Sequence, residues 1–166
     1  MAESSEIERD EDRARAEALL ADYARLTGAE GLSFDENDSV VIDAEDDIYV
    51  NVAYRPVTAE FSCFATVGYL PEEENRETVL RALLRRNRAD GGGFGFVNAV
   101  EPDTDHVVTH DRRSVWFFAD EKEFGAWIEA CVEHVQNLRE LIETGVDGAS
   151  PGGAGEGGGA EIIFWG

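Results

Sequence analysis

Three histidines, two cysteines, a glycine run and a surplus of carboxylates are the groups through which this 166-residue chain could do chemistry. His106 and His110 stand four apart in a strand-like stretch, and His134 falls within a helical pattern. Zinc needs three or four convergent ligands, whereas i, i+4 on a strand separates backbone positions by roughly 13 Å, so surface or edge-strand histidines are expected rather than a metal site. Cys63 and Cys131 lie far apart in sequence, each in apolar surroundings, with no second cysteine at metal or redox spacing and no basic neighbour to activate the thiol. Two buried thiols in a reducing cytoplasm are expected. Gly91-Gly92-Gly93-Phe94-Gly95 follows a helix and precedes a strand, the reverse of a phosphate loop, and no Lys-Ser/Thr follows it. The acidic segments at Asp35 and at Asp43–Asp47 lack the spaced ligands and central glycine of an EF-hand and read as solvated turns. No nucleophile elbow with ordered Ser, His and Asp is present. The expectation is a protein that is not an enzyme, with no metal and no cofactor.

Charge narrows the partners. The chain carries 14 Lys+Arg against 36 Asp+Glu, a formal net charge of −22, and Lys122 is its one lysine. Nucleic acid and anionic membrane would add self-repulsion where a binder needs counter-charge. With 43% apolar residues the acidity belongs to the surface of a folded domain. The charged N-terminal stretch has no apolar signal region, and no apolar run approaches the ~20 residues of a membrane span, so a soluble cytoplasmic protein is expected.

The elements follow from periodicity. Ala16, Leu19, Leu20, Tyr23 and Leu26 share one helical face from Ala14 onward, and Gly28 suits the helix end. Leu32 and Phe34 open a short extended piece. Val40–Ile42, Ile48–Tyr54 and Phe61–Tyr69 then alternate as strands of an antiparallel meander, with Pro56 stopping the second. Pro71 and Glu72–Glu74 suit the start of a second helix, whose stripe is Val79, Leu80, Leu83, Leu84 and Asn87. Phe94, Phe96, Val107–Val108 and Val115–Phe118 predict two or three further strands, punctuated at Glu101–Asp103 and Asp111–Ser114. Asp120 with Glu123 makes a capping box for a third helix through Ile142. The order α-β-β-β-α-β-β-α, with segregated helices and no βαβ repeat, predicts an α+β fold on an antiparallel sheet. Residues 1–13 read as a flexible acidic N-terminus, 14–144 as the folded domain, and 145–166 as a Gly-rich flexible tail ending in Ile162, Ile163, Phe164 and Trp165.

This series resembles a known family. Leu19-Leu20 and Leu26, GLSFDEND (Gly31 to Asp38), VVIDAEDDIYVNV (Val40 to Val52), VGYLPEEENRETVLRALLRRN (Val67 to Asn87), GGGFGF (Gly91 to Phe96) and FGAWIEACVEHV (Phe124 to Val135) are together similar to the CesT/Tir-chaperone family of type III secretion chaperones. The likeness covers roughly residues 14 to 143. The tail lies outside it, and the net charge is more negative than the fold requires. The resemblance implies a homodimeric, cytoplasmic chaperone that binds the N-terminal, non-globular segment of a secreted effector and keeps it soluble and export-competent.

On that resemblance the first helix and first three strands hold cargo, which makes Leu19, Tyr23, Leu26, Phe34, Val50, Val52, Phe61 and Phe64 the candidate cargo-binding residues; the competing reading of each is ordinary core. Phe64 stands out because it falls on the strand face opposite Phe61 and needs a second cover. Leu80, Leu83, Leu84, Asn87, Phe94 and Trp116 are the implied dimer interface. Ile162–Trp165 form an apolar plug on a tether that can fold back. The alternative function is an adaptor or regulatory protein of the same fold, binding its partner through the acidic face or the tail.

Overall fold

A computed structural model describes residues 2–29, 31–87 and 95–145. The elements run α1 (Ala2–Thr27), β1 (Ser39–Ala44), β2 (Ile48–Arg55), β3 (Glu60–Tyr69), α2 (Glu73–Arg86), β4 (Val97–Val100), β5 (His106–Ser114) and α3 (Glu121–Thr144), the predicted α-β-β-β-α-β-β-α order. All pairings in the five-stranded sheet are antiparallel, in the order β1-β2-β3-β5-β4. The edges are therefore β1 and β4.

Alternation of side chains on the strands builds one sealed face. Ile42, Ile48, Val50, Val52, Phe61, Cys63, Ala65 and Val107 are buried on it, under α3, and α1 packs against α3. At its centre Phe61, Phe118, Phe124 and Trp127 meet with ring centroids 4.9–6.4 Å apart. Trp127 Nε1 donates to the Asp111 carboxylate at 2.9 Å, so the one polar atom of the buried indole is satisfied. Cys63 and Cys131 meet here as free thiols, and their hydrogen bond together with burial pushes the Cys63 thiol up. Gly125 lets α1 close on α3: a Cβ there would lie 3.3 Å from the Tyr23 ring.

The acidic segments are turns, as their composition predicts. The Asp35 carboxylate accepts from the backbone N–H of Asn37 at 2.8 Å and of Ser39 at 2.9 Å, bonds that hold its pKa below the usual carboxylate value. Asp46 and Asp47 take left-handed φ of 61° and 53° between β1 and β2, a region Asp tolerates better than most side chains. Asp120 caps α3, accepting from Lys122 and Glu123 N–H at 3.0 Å each, and Gly145 ends it at φ 68°.

Four expectations are corrected. The first helix begins at Ala2, not Ala14. At residues 12 and 13, ahead of the apolar stripe, tertiary partners hold the helix: Arg13 pairs with Asp38 at 2.6 Å, and Asp12 accepts from the Trp116 indole at 2.6 Å. Leu32 and Phe34 lie in a non-strand segment, docked by side chains against the core. Asp111–Ser114 belongs to β5, because buried Asp111 is matched by Trp127, and Val115–Phe118 follows as a turn region outside any strand. Finally, of the surface or edge-strand expectation, the edge is corrected: His106 and His110 sit half-buried on the interior strand β5, and His134 is half-buried on α3.

Candidate protein-binding surfaces

Two apolar surfaces are open on the described residues. The first runs along α1. Two adjoining hollows of about 300 and 430 Å³, sharing Ala21 and Leu32, lie between that helix and residues 29 and 31–34. Arg13 and Glu17 flank one end, Leu20 and Phe34 line the floor, and Gly28, Ala29 and Gly31 form the other end. The floor is rigid because Phe34 continues the core aromatic cluster, stacked 6.3 Å from Phe61 and tilted 6.4 Å from Tyr54. Gly28 and Gly31, at φ 74° and 87°, turn the chain back along the helix.

The second surface is the sheet face turned away from the helices. Register aligns Val41, Asn51, Phe64, His110 and Val97 in one row across all five strands. Beside this row, Tyr49, Thr66 and Tyr69 complete a basin of about 450 Å³ whose rim includes Asp47, His106 and Arg139. Tyr69 lies with its ring tilted by 34° and 4.1 Å from that of His106, its register partner beyond the irregularity in β3 between Thr66 and Gly68.

Of the eight predicted cargo residues, Leu19, Tyr23, Val50, Val52 and Phe61 are fully enclosed in the core, so the reading of these five as contact residues is corrected: their periodicity marks the sealed face. Burial also drives the Tyr23 hydroxyl up to about 12. Phe34 is half-buried in the α1 groove, Leu26 is 53% exposed on α1, and Phe64 is 38% exposed on the far side of the sheet. The structure therefore separates these three rather than joining them. Ala21, Ala29 and Leu32 are groove residues that periodicity does not single out, since small residues and a docked loop carry no regular signal.

The predicted dimer set divides in the same way. Leu83 is buried and Leu80 packs against the core, whereas Leu84 is 69% exposed. Asn87 is used within the chain: its Nδ2 donates to the Asn98 carbonyl at 2.8 Å and its Oδ1 accepts from Asn98 N–H at 2.7 Å, so the amide mimics a neighbouring strand at the β4 edge. His134 completes this cluster at 2.8 Å from Asn98 Oδ1, stacked on Phe96, and burial depresses its pKa to about 4. Trp116, 61% exposed, is bonded to Asp12 and lies 5.7 Å from the Arg15 guanidinium, at the opposite end of β5 from Asp105, where Arg76 of α2 is fastened. It does not join the α2 residues. Phe94 and Ile162–Trp165 lie outside the described residues.

Among the described residues no group of three or more His, Cys, Asp or Glu side chains converges to hold a metal ion, and no helix is long and apolar enough to cross a membrane. What the surfaces offer is apolar contact, aromatic faces and sheet edges, the means by which an extended peptide is held without reaction.

Known structures share this architecture. A Yersinia pestis type III secretion chaperone, SycH, solved with a stable fragment of YscM2, is 18% identical, with 74% of this chain and 98% of that one covered and a TM-score of 0.61. A chain of the ExsC-ExsE complex is 17% identical, covering 78% of this chain and 94% of its own, with a TM-score of 0.60. A chain of the HopA1-SchA chaperone-effector complex is 10% identical over 76% and 94%, with a TM-score of 0.62. At these identities the likeness establishes the fold. No curated protein sequence matches the chain. The sequence pattern of the Tir chaperone protein (CesT) family, however, matches residues 18–139, from α1 through most of α3. With that span covering the helical layer and the whole sheet, the chain belongs to the Tir chaperone protein (CesT) family.

Proposed function

We propose that this protein is a type III secretion chaperone, a cytoplasmic homodimer that holds the N-terminal, non-globular segment of an effector in the groove along α1. Membership of a chaperone family and a fold shared with chaperones solved alongside their partners support the class. One observation carries the site: a preformed channel of two joined hollows, in which Leu20, Leu32 and Phe34 offer apolar contact between charged ends at Arg13, Glu17 and Arg25, on a chain of net charge −22. A peptide entering it buries apolar side chains without reorganising the domain, so little ordering cost falls on the chaperone. The acidic exterior keeps the loaded complex soluble. Leu84, exposed on the α2 face next to Leu80, is the centre of the proposed dimer contact.

The test is co-expression with the N-terminal segments of secreted proteins encoded nearby, followed by affinity capture. Ala21→Glu and Ser33→Glu place charge in the channel at exposed positions. The expected result is loss of at least tenfold in cargo affinity with an unchanged melting temperature. Undiminished capture by the double variant would overturn the groove, and failure of every segment to remain soluble with the unmodified chain would overturn the chaperone reading itself.

A further inference from the structure

The open sheet face sits beside the point where the chain leaves α3. Arg139 clamps the end of that helix to the basin rim: Nε donates to the Val67 carbonyl at 3.0 Å and Nη2 to the Asp47 carbonyl at 3.1 Å. From Arg139 the helix advances about 9 Å to Gly145, where its left-handed cap ends it. Beyond that cap are 16 residues, mostly small, before Ile162, and a Gly-rich chain of this length has a root-mean-square span of about 20–24 Å. The basin is therefore well within reach. Ile162-Ile163-Phe164-Trp165 is an uncharged, large apolar run in a chain of net charge −22. The basin floor, with Val41, Tyr49, Phe64 and Tyr69 all exposed, is apolar and aromatic. Its rim carries the Arg139 guanidinium, a positive charge that suits Glu161 next to the run.

We propose that the segment Glu161–Trp165 of this same chain seats in the outer-face basin, so that the tail is a built-in cover for the sheet face that the helices leave open. The cover lies on the opposite layer from the α1 groove, so it stands or falls apart from the cargo reading. An intramolecular ligand at the high effective concentration of a short tether needs only modest intrinsic affinity to stay seated.

The experiment uses the full chain and a fluorescently labelled peptide of sequence EIIFWG. The unmodified chain, its basin occupied, is expected to bind the peptide at least tenfold more weakly than the Phe164→Ser/Trp165→Ser chain, and adding Tyr69→Ser to the double variant is expected to abolish binding. Tyr69 is 64% exposed, so this change leaves the core intact, and a melting curve checks that the fold is kept. Hydrogen exchange on the same proteins should show faster exchange across β1–β3 when Phe164 and Trp165 are replaced. Equal peptide binding by the unmodified and double-variant chains, or binding indifferent to Tyr69→Ser, overturns the proposal. Self-association that disappears in the double variant assigns the segment to a second copy and overturns intramolecular seating.

Discussion

The two faces of the sheet are made by the same strands, yet one is sealed and the other open. On the inner face Cys63 opposes Asp111, and Trp127 of α3 closes over both; one residue along, on the outer face, Phe64 opposes His110 and nothing among the described residues covers the pair. Strand alternation places large apolar side chains on both faces, so hydrophobicity alone does not distinguish core from docking surface. The difference lies in the partner layer. The helices supply two faces' worth of apolar stripe to one side of the sheet and none to the other.

The sharpest way to break this comparison is to remove one aromatic from each face. Trp127→Ala should cost about 3–5 kcal/mol, because a cavity opens and the Asp111 carboxylate loses a buried donor. Phe64→Ala should stay within about 0.5 kcal/mol. Denaturant melts of the two variants check this, and comparable losses would show that the outer face is core after all.

Acid should loosen the inner layer next. His134 is held near 4 by burial, whereas an unfolded histidine titrates near 6.5. The unfolded chain therefore takes up the proton first, so stability present above about pH 6.5 is lost as the pH falls through about 4, by up to about 1.4 kcal/mol per pH unit. Replacing His134 with Gln should flatten that limb in melts run from pH 7 to pH 4. A smaller effect is expected from Asn87→Ala. It strips the partner from the Asn98 backbone at the β4 edge and should cost about 1–2 kcal/mol, with faster hydrogen exchange confined to β4 and the end of α2. Smallest of all in stability is Leu84→Asp, at an exposed site. The melting temperature should hold, and if the proposed dimer forms through this face, light scattering should report it for the unmodified chain and a single protomer for the variant.

Much of the fold was legible because its signals are local. Ile48–Arg55 and Glu60–Tyr69 are strands where alternation predicts them, and the Asp120 cap starts α3 where the capping pattern does. The misreadings arise where a distant partner decides. Asp111–Ser114 reads as a turn because Asp is a poor strand residue, until Trp127 provides it with a buried donor. Ahead of Ala14 the sequence of α1 has no apolar stripe, and at residues 12 and 13 the Asp38 ion pair and the Trp116 indole supply contacts that periodicity does not signal. The candidate site was less legible. Periodicity found Tyr23, Val50 and Phe61, which are core, and passed over Ala21 and Leu32, which line the groove.

From the sequence alone came the element order, the acidic composition and the family likeness, since each depends on residue type and near-neighbour spacing. Only the tertiary structure decided which apolar residues meet solvent. That outcome depends on how α1 and α3 are laid on one side of the sheet, and contact between residues tens of positions apart is fixed by packing the whole domain at once.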